Sequence, residues 1–260
     1  MALNAIISTG RALWYRHEAV RLRFERLRAL PPHLPHALVS VIIPTHNRVD
    51  LLFDRALPSA QRQSYDNLEI IVAAHGCTDN TVAAVQAHAH ERRTYGDRRL
   101  RIVVVPRVVT YPPTRENHWF AGPVDPLNAA LKVCRGGWIA RLDDDDEWTV
   151  DHIESLLTFA SCHDFEFVSS AHRTHMGLVS PYDVDGVEVG GCQTWLYRSY
   201  LRFMRYNPDC WRKRWNRVND TDLQARFRAA GVRMGYLPEV TAVVLPRPGK
   251  RSVGLAAYFE

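Results

Sequence analysis

The sequence predicts an α/β protein with a mostly parallel central sheet flanked by helices. Short apolar runs rich in β-branched residues alternate with helical segments after residue 36, and this alternation is typical of parallel strands joined by crossover helices. The content of 46% apolar and 23% charged residues is that of a globular protein, which excludes disordered and collagen-like classes. The 260 residues suffice for one large domain or two small ones.

Five apolar runs are predicted to form strands of the sheet. They are Val39 to Pro44, Leu68 to Ala74, Leu100 to Pro106, Trp138 to Leu142 and Phe165 to Ser169. In the runs that begin at Val39, Leu68 and Trp138, nearly continuous apolarity indicates buried strands. Ligands of open α/β sheets bind beyond the carboxyl ends of the strands, so the residues after these runs are candidates for a site.

Helices are predicted between and after these strands. Their expected ranges are Arg48 to Gln63, Thr78 to His88, Pro126 to about Cys134, Thr149 to Ala160 and Thr221 to Ala230. Thr78 or Asp79 is expected to cap the second helix, and Asp125 the third, where Pro126 takes the first helical position.

The first 36 residues carry six arginines against two glutamates. Four apolar residues recur there at three- and four-residue steps and form one face of a helix of about residues 10 to 30: Leu13, Val20, Phe24 and Leu27. Pro31 and Pro32 are expected to end this helix. We expect the apolar stripe to dock on the main domain; contact with an anionic membrane surface is the alternative.

The chain carries no sign of membrane insertion or of disulfide bonds. No apolar run approaches the roughly 18 residues that span a bilayer, and residues 5–7 are too short for a signal-peptide core. Five cysteines without a CxxC pair are typical of reduced thiols. The sequence therefore predicts a cytoplasmic protein, and nucleic acid is not an expected partner.

Four consecutive aspartates, Asp143 to Asp146, follow the fourth predicted strand. Packing such carboxylates together costs several kcal/mol unless a cation, hydrogen-bond donors or solvent offset the repulsion. A hard divalent cation with oxygen ligands would do so directly. From this motif alone, a metal site and a solvated acidic loop both remain open.

Four motifs together carry a resemblance to a known family. They are VSVIIPTHNR at 39–48, LEIIVAAHGCTDNT at 68–81, GGWIARLDDDDEW at 136–148 and NDTDLQARFRAAG at 219–231. In this order and at these separations the chain resembles family 2 glycosyltransferases over roughly residues 37–246. The resemblance implies a GT-A fold, a nucleoside-diphosphate-sugar donor, a Mn²⁺ or Mg²⁺ ion and, usually, inversion at the anomeric carbon.

The resemblance also implies a division of the chain. Residues 1–36 would form the basic helix and a proline-rich hinge, and residues 37–246 the glycosyltransferase domain. Within that domain, residues 37–148 would bind the nucleotide and residues 149–246 the acceptor. Residues 247–260 would form a C-terminal tail.

A nucleotide pocket is implied where the first strand gives way to a helix, because backbone N–H groups and the positive helix end meet there. By resemblance Pro44, Thr45 and Asn47 would line the nucleoside pocket, and Arg48 would contact the base or a phosphate. Helix capping is the alternative role of Asn47.

The second motif departs from the family, which commonly has an acidic pair where this chain has Ala74 and His75. A neutral imidazole can accept a hydrogen bond from a base N–H, but it supplies no fixed negative charge. Donors of the UDP, dTDP and GDP type therefore stay open. Asn128 matches a donor-site asparagine, whereas Leu127 stands where an arginine is usual. Arg115 or Arg141 would have to supply that charge.

The acidic motif aligns with the DXD signature of the family. Asp145 would be the direct metal ligand, and Asp143 a second ligand or, like Asp144, a partner of the ribose hydroxyls. Asp146 would support these ligands or contact the donor sugar. The metal would offset the charge that develops on the departing nucleoside diphosphate.

Inverting transfer needs one general base, which the family places in an acidic pair at the start of a late helix. The pair here is Asn219 and Asp220, so Asp220 is the candidate base and Asn219 departs from the usual glutamate. Helix capping is its alternative role. The last twenty residues contain no histidine that could add a metal ligand.

Residues before this helix usually shape the acceptor site. Gln193, Thr194 and Trp195 are the candidates, after a close-approach turn at Gly190 and Gly191. Trp195 could stack on an acceptor, although a tryptophan that begins a strand is more often part of the core.

These observations predict a metal-dependent inverting glycosyltransferase that acts on a hydroxyl of a glycan, lipid or small molecule. Two alternatives remain. One is a non-catalytic protein that binds a nucleotide sugar or a membrane surface, since Ala74, His75 and Asn219 replace acidic residues. The other is a nucleotidyltransferase.

Overall fold

The computed structural model describes residues 2–29, 36–179, 181–183, 186–213 and 219–260, with side chains from Ala12 onward. Eleven strands lie in these ranges: β1 (Val39–Thr45), β2 (Leu68–His75), β3 (Leu100–Val105), β4 (Trp138–Arg141), β5 (Asp146–Trp148), β6 (Phe167–Thr174), β7 (Gly177–Val179), β8 (Tyr182–Asp183), β9 (Glu188–Val189), β10 (Leu196–Arg198) and β11 (Met234–Val244). The predicted strands are confirmed, with ends that differ by a few residues.

Eight α-helical segments occur in the same ranges: α1 (Ala2–Arg28), α2 (Val49–Leu51), α3 (Leu57–Gln61), α4 (Thr81–Thr94), α5 (Arg115–Ala121), α6 (Val124–Val133), α7 (His152–Cys162) and α8 (Asn219–Ala230). A π-helical turn, Leu52–Ala56, joins α2 to α3. Residues 49–61 therefore form one continuous helix, as predicted.

The main sheet has the strand order β3-β2-β1-β4-β10-β6-β11-β5, and β7 pairs with β6. Strands β3, β2, β1 and β4 are mutually parallel, with Val39 in register with Leu68 on one side and Trp138 on the other. Strand β10 is antiparallel to β4 and β6, and β5 is antiparallel to β11. The carboxyl ends of β1, β2 and β4 consequently lie at one edge of the sheet.

The core lies on both faces of this sheet. Along β1, Val41 and Ile43 pack in one apolar cluster, whereas Ile42 packs in the other. This division follows from the two-residue period of a strand. All seven residues of β1 are buried, as the nearly continuous apolar run predicted.

Four predicted helix starts are two or three residues away from the observed ones. Helices α7 and α8 begin at His152 and Asn219 in place of the predicted Thr149 and Thr221. Helix α6 begins at Val124, so Asp125 lies in its first turn and does not cap it. Helix α4 begins at Thr81, and the Asp79 carboxylate accepts a hydrogen bond from the Thr81 backbone N–H at 3.1 Å. Side-chain preferences locate a helix start only to within a few residues, because neighbouring polar residues compete for the same N–H groups.

The N-terminal helix is confirmed, but it does not dock through the predicted face. Leu22 is fully buried, the Glu18 carboxylate lies 3.3 Å from Arg226 on α8, and Arg26 donates a 2.6 Å hydrogen bond to the carboxylate of Glu166. The predicted apolar stripe of Leu13, Val20, Phe24 and Leu27 is 61%, 51%, 59% and 83% exposed. Buried charges on the domain need partners, which an apolar pattern does not reveal. The predicted hinge at residues 31–35 lies outside the described residues.

Among the described helices, none combines the length and the apolar character needed to cross a membrane.

The fold contains a buried histidine that should make stability depend on pH. His152 is fully buried, stacks on Trp148 at 4.2 Å, and its Nδ1 lies 2.6 Å from the Thr241 hydroxyl. Burial lowers the pKa of His152 to about 3. The imidazole is therefore neutral in the folded protein across the pH range in which it gains a proton in the unfolded chain.

We expect the stability contributed by neutral His152 to be present above pH 6.5 and to be lost as pH falls towards 3. Between pH 7.5 and pH 5 this loss amounts to about 2 kcal/mol. His152→Asn, which cannot titrate, should reduce the difference between the free energies of unfolding at the two pH values by that amount, measured with urea. Equal pH dependence in the two proteins would contradict this assignment.

Candidate active site

A cavity of about 660 Å³ opens at the edge of the sheet where β1, β2 and β4 end. Its walls come from the ends of these strands, from α5, from residues 190–193, from the first turn of α8 and from the C-terminal segment 244–258. The acidic motif and the start of α8 are 73 residues apart in sequence, from residue 146 to residue 219, yet they line the same cavity. Residues of all four sequence motifs therefore line the cavity. Three of these motifs lie at the ends of the parallel strands β1, β2 and β4, and the fourth lies at the start of α8.

The acidic motif forms the floor of the cavity, and arginines compensate it. Asp144 and Asp146 are 4% and 6% exposed. Arg48 donates hydrogen bonds to Asp144 at 2.8 Å and to Asp145 at 3.2 Å, and Arg247 lies 3.7 Å from Asp145. Burial raises the pKa of Asp144 to about 6 despite Arg48. The pKa of Asp146 is raised well above its ordinary value, first by burial and then by the other three aspartates.

Arg141 places a positive charge beside the acidic motif. Its guanidinium is buried, lies 3.0 Å from Asp143 and packs 5.5 Å from the centre of the Tyr206 ring. The Cys192 thiol approaches the same Asp143 carboxylate at 3.6 Å. Arg141 therefore supplies positive charge inside the cavity, one of the two positions that sequence analysis considered. The other, Arg115, donates to the Tyr258 carbonyl and lies outside the lining.

Asp220 lies in the first turn of α8 and lines the cavity beside Asn219. Its carboxylate accepts a 2.8 Å hydrogen bond from the N–H of the next residue, Thr221, whereas a capping side chain accepts from a residue two or three positions on. Burial raises the pKa of Asp220, and the charge of Arg141 opposes that rise. The Asn219 amide oxygen is buried without a hydrogen-bond partner among the described residues, and Asn219 has a positive φ of 32°.

Three histidines, His46, His75 and His118, line another wall of the cavity, and Arg107 contacts two of them. Arg107 donates to His46 Nε2 at 2.6 Å, and His46 Nδ1 lies 2.7 Å from the His75 carbonyl oxygen. Since guanidinium groups only donate, Nε2 is the acceptor and Nδ1–H is the donor, which is the neutral tautomer. Arg107 also approaches His118 Nδ1 at 3.3 Å. Burial is the main cause that lowers the pKa values of His46, His75 and His118.

His75 itself lines the cavity, is 5% exposed, and its Nε2 has no hydrogen-bond partner among the described residues. A buried polar atom without a partner is costly unless a ligand or water satisfies it. Sequence analysis identified His75 but not Arg107 or His118, because neither lies in a recognised motif. Only the positive charge of Arg107, just after the third strand, could have indicated it.

Two predicted donor-site residues, Asn47 and Asn128, do not line the cavity and instead bond to other parts of the chain. Asn47 has a φ of 52°, and its side chain holds the Thr78 N–H and hydroxyl at 2.7 and 3.0 Å. The Asn128 amide is bonded to both backbone groups of Tyr206. The lining does include the other predicted donor-site residues, which are Pro44, Thr45, Arg48, His75 and Asp143 to Asp146.

The acceptor candidates divide in the same way. Gln193 lines the cavity, whereas Thr194 and Trp195 are completely buried and do not. The Trp195 indole donates to the Gly190 carbonyl at 3.1 Å, so it offers no open face for stacking. A Cβ on Gly190 would lie 2.0 Å from the Ser170 carbonyl oxygen, which explains why a glycine is needed at this close approach.

The C-terminal segment contributes more than sequence analysis expected. The Tyr258 hydroxyl accepts a hydrogen bond from Arg48 at 2.9 Å, and the Arg247 guanidinium lies 4.4 Å from the centre of the Tyr258 ring. Residues predicted as a tail therefore close one side of the cavity. No motif marks them, because the contact depends on how the chain returns after β11.

The carboxylates can contribute to a metal site but do not form a complete one. Among the described residues, no three histidine, cysteine or carboxylate side chains converge so as to hold an ion by themselves. Asp143 and Asp145 are partly exposed to the cavity and carry the oxygen ligands that Mg²⁺ and Mn²⁺ prefer. This donor set fits a divalent ion whose remaining ligands are phosphate oxygens and water.

Comparison with known proteins agrees with the geometry. The model of "Glycosyl transferase family 2" matches residues 40–182, which is more than half of the chain. The chain therefore belongs to glycosyl transferase family 2.

Two curated relatives illustrate the similarity. The chain is 30% identical over 122 residues to the UDP-Glc:alpha-D-GlcNAc-diphosphoundecaprenol beta-1,3-glucosyltransferase WfaP of Escherichia coli, covering 47% of this chain and 41% of that protein. It is 29% identical over 123 residues to the GalNAc(5)-diNAcBac-PP-undecaprenol beta-1,3-glucosyltransferase of Campylobacter jejuni, covering 47% of this chain and 34% of that protein. The chain thus matches less than half the length of these relatives.

Solved structures support the fold. The mannosyltransferase PcManGT of Pyrobaculum calidifontis, in complex with GDP-Man and Mn²⁺, has a TM-score of 0.61 at 20% identity, covering 95% of this chain and 68% of that one. TarS 1-349 of S. aureus in complex with UDP-GlcNAc has a TM-score of 0.58 at 18% identity, covering 84% of this chain and 60% of that one. The predicted GT-A fold is confirmed.

The buried acidic floor should lower the stability of the ligand-free protein. A carboxyl whose pKa is raised by folding stabilises the folded state less as the pH rises above the pKa of about 3.9 that an aspartate has in the unfolded chain. We therefore expect Asp146→Asn to raise the free energy of unfolding at pH 8 by about 1 kcal/mol or more, measured with urea. Asp54→Asn is the matched control, because Asp54 is exposed in the π-helical turn between α2 and α3. It should change the free energy of unfolding little. A less stable Asp146→Asn protein would show that repulsion does not dominate.

Proposed function

We propose that the protein is a metal-dependent, inverting glycosyltransferase that moves a sugar from a nucleoside diphosphate to an acceptor hydroxyl. The observation that carries this proposal is the meeting of the acidic motif and Asp220 in one cavity of a family 2 chain. A donor-binding site needs the acidic motif, and inverting transfer also needs a general base such as Asp220.

The donor diphosphate is proposed to bind above the acidic floor. Asp145, with Asp143, would hold a Mn²⁺ or Mg²⁺ ion. When bound, this ion would offset negative charge on the leaving diphosphate. Arg48 and Arg247 line the cavity next to Asp145, so they add positive charge where the phosphates would lie. A solved structure with the same fold, that of PcManGT, contains both GDP-Man and Mn²⁺, which supports this arrangement.

The histidine wall is proposed to recognise the base. His75 lines the cavity, and its buried Nε2 has no hydrogen-bond partner among the described residues. A neutral imidazole can accept a hydrogen bond from the N3–H of uracil or thymine or the N1–H of guanine. Adenine and cytosine have no ring N–H of this kind. UDP, dTDP and GDP donors are therefore favoured over CDP and ADP donors.

The transfer step is proposed to use Asp220 as the general base. The acceptor oxygen would attack the anomeric carbon as the bond to the phosphate oxygen breaks on the opposite face. The acceptor proton would pass to the Asp220 carboxylate, and the nucleoside diphosphate would leave with the electron pair of the broken bond. Because burial raises the pKa of Asp220, its carboxylate is a stronger base than an exposed aspartate.

A lipid-linked saccharide is the acceptor that the relatives favour. The two named enzymes act on saccharides carried by diphosphoundecaprenol. Gln193 and Tyr182 line the cavity near Asp220 and could bind acceptor hydroxyls. The cytoplasmic location expected from sequence stays a prediction.

Donor binding can be tested with UDP, dTDP, GDP and CDP in thermal-shift and calorimetric titrations, with Mn²⁺ or with EDTA. We expect one nucleotide to raise the melting temperature only with metal. Asp145→Ala should abolish this gain because it removes the direct metal ligand, whereas the exposed-site control Asp54→Ala should retain it. His75→Ala should weaken binding of the preferred nucleotide about tenfold, the effect of one lost buried hydrogen bond.

No gain with any nucleotide, from folded protein, would contradict the donor site and favour a degenerate relative without catalytic activity.

The role of Asp220 can be tested separately from donor binding. Asp220→Asn should leave the nucleotide dissociation constant within about twofold and reduce transfer at least 100-fold, since general-base catalysis typically contributes about 10² to 10⁴. Release of nucleoside diphosphate from the preferred donor, with GlcNAc-diphosphoundecaprenol as acceptor, measures transfer. Asp209→Asn, at an exposed site before α8, is the control.

Transfer that persists in Asp220→Asn would remove this residue from the mechanism. Release of sugar 1-phosphate in place of nucleoside diphosphate would show transfer of the nucleotidyl group and point to a nucleotidyltransferase.

A further inference from the structure

Helix α1 has one face that packs on the domain and an opposite face that is exposed. The inner face is fixed to the domain: Leu22 is buried in the core, Glu18 pairs with Arg226, and Arg26 bonds to Glu166 and to the Gly231 carbonyl at 2.7 Å. The Arg226 guanidinium also lies 4.8 Å from the centre of the Trp14 ring. These contacts hold the helix firmly and leave its opposite face outward.

The outward face is an apolar stripe of four side chains, Leu13, Val20, Phe24 and Leu27, each more than half exposed. Scattered exposed apolar residues are ordinary on a protein surface, but a contiguous stripe on one helix face marks an interaction site. The described chain leaves this stripe uncovered, although α1 itself is anchored through its other side.

Arginines border the stripe on both sides. At 3.6 residues per turn, Arg16 and Arg23 fall along one flank and Arg21 and Arg28 along the other, and all four are exposed. Glu18 is buried, and Glu25 pairs with Arg21 at 3.3 Å, whose guanidinium also lies 4.6 Å from the centre of the Phe203 ring. Arg16, Arg23 and Arg28 therefore carry the positive charge that the glutamates do not offset. Among its described side chains, the outward face of α1 therefore combines apolar groups with positive charge only.

We propose that this face binds the surface of an anionic membrane, with α1 lying in the plane of the interface. Apolar side chains would enter the boundary between headgroups and acyl chains, and the flanking arginines would pair with lipid phosphates, the pattern of interfacial amphipathic helices. A second copy of the chain fits less well. Two-fold pairing of the same face would bring its arginine rows against each other, whereas anionic headgroups neutralise them.

The contact would also orient the cavity. Helix α1 packs on α8, and α8 carries Asp220 in its first turn. Since the ion pair of Glu18 with Arg226 fixes the two helices together, a membrane bound to α1 would hold the cavity at a set position above the lipid surface. This inference does not depend on the proposed transfer reaction, because membrane binding is measured without donor or acceptor.

Flotation with lipid vesicles tests the proposal. We expect the full chain to float with phosphatidylglycerol-containing vesicles at 0.1 M NaCl, to bind at least tenfold less to pure phosphatidylcholine, and to be released by 0.5 M NaCl. The triple variant Val20→Ser, Phe24→Ser, Leu27→Ser should lose at least tenfold in binding, as should Arg16→Glu with Arg23→Glu. Tyr95→Ser with Met176→Ser, two exposed apolar sites elsewhere, should bind like the unchanged chain.

Circular dichroism and nucleotide titration of each variant establish that it is folded. Unaltered vesicle binding in the folded triple variant would overturn the proposal. The proposal would also be overturned if the unchanged chain did not bind anionic vesicles. Sedimentation equilibrium would then show whether that chain is a monomer or a dimer that the triple variant dissociates. In the last case the stripe would be a subunit interface.

Discussion

The structure depends on the arginines that compensate four adjacent carboxylates, Asp143 to Asp146, at the end of the buried strand β4. Two of them, Asp144 and Asp146, are almost completely buried, which would be prohibitive without compensation. Arg48 comes from the segment after β1, and Arg141 comes from β4 itself. These two arginines contact Asp143, Asp144 and Asp145, and the repulsion that they leave at this edge of the sheet is expected to cost stability. Such a trade is common where function needs strained or charged groups.

Much of the fold follows from patterns that the sequence carries openly. The parallel half was predictable because each of its strands is a short apolar run between helices, and β1 is buried along its whole length. Strand β6 was underestimated, since it extends to Thr174 through Ser170, His172 and Arg173. Those polar residues are held in the sheet by pairing with β11 and β7, and pairing between distant strands leaves no trace in local composition.

The site was predictable where a motif and a strand end coincide, and not where tertiary contacts decide. The acidic motif, His75 and Asp220 meet as the motif order implied, although their roles in the reaction stay predictions. Arg107 and Tyr258 lie in no motif. Arg107 bonds to His46 of the cavity wall and Tyr258 lines the cavity itself, and both contacts arise only in the folded chain. The core role that the sequence favoured for Trp195 over acceptor stacking is confirmed, because the side chain is fully buried and its ring centre lies 5.3 Å from that of Phe167.

The segment after β11 has a consequence for how the chain can be divided. Tyr258 bonds to Arg48, and the Glu260 carboxylate bonds to the Arg251 N–H and the Ser252 hydroxyl. The last fourteen residues are thus folded back as a wall and not carried as a free end. A minimal domain drawn at residue 246, where the strand pattern stops, would leave Arg48 with only its aspartate partners and open the cavity to solvent on one side. Domain limits taken from family motifs alone would therefore remove one wall of the cavity.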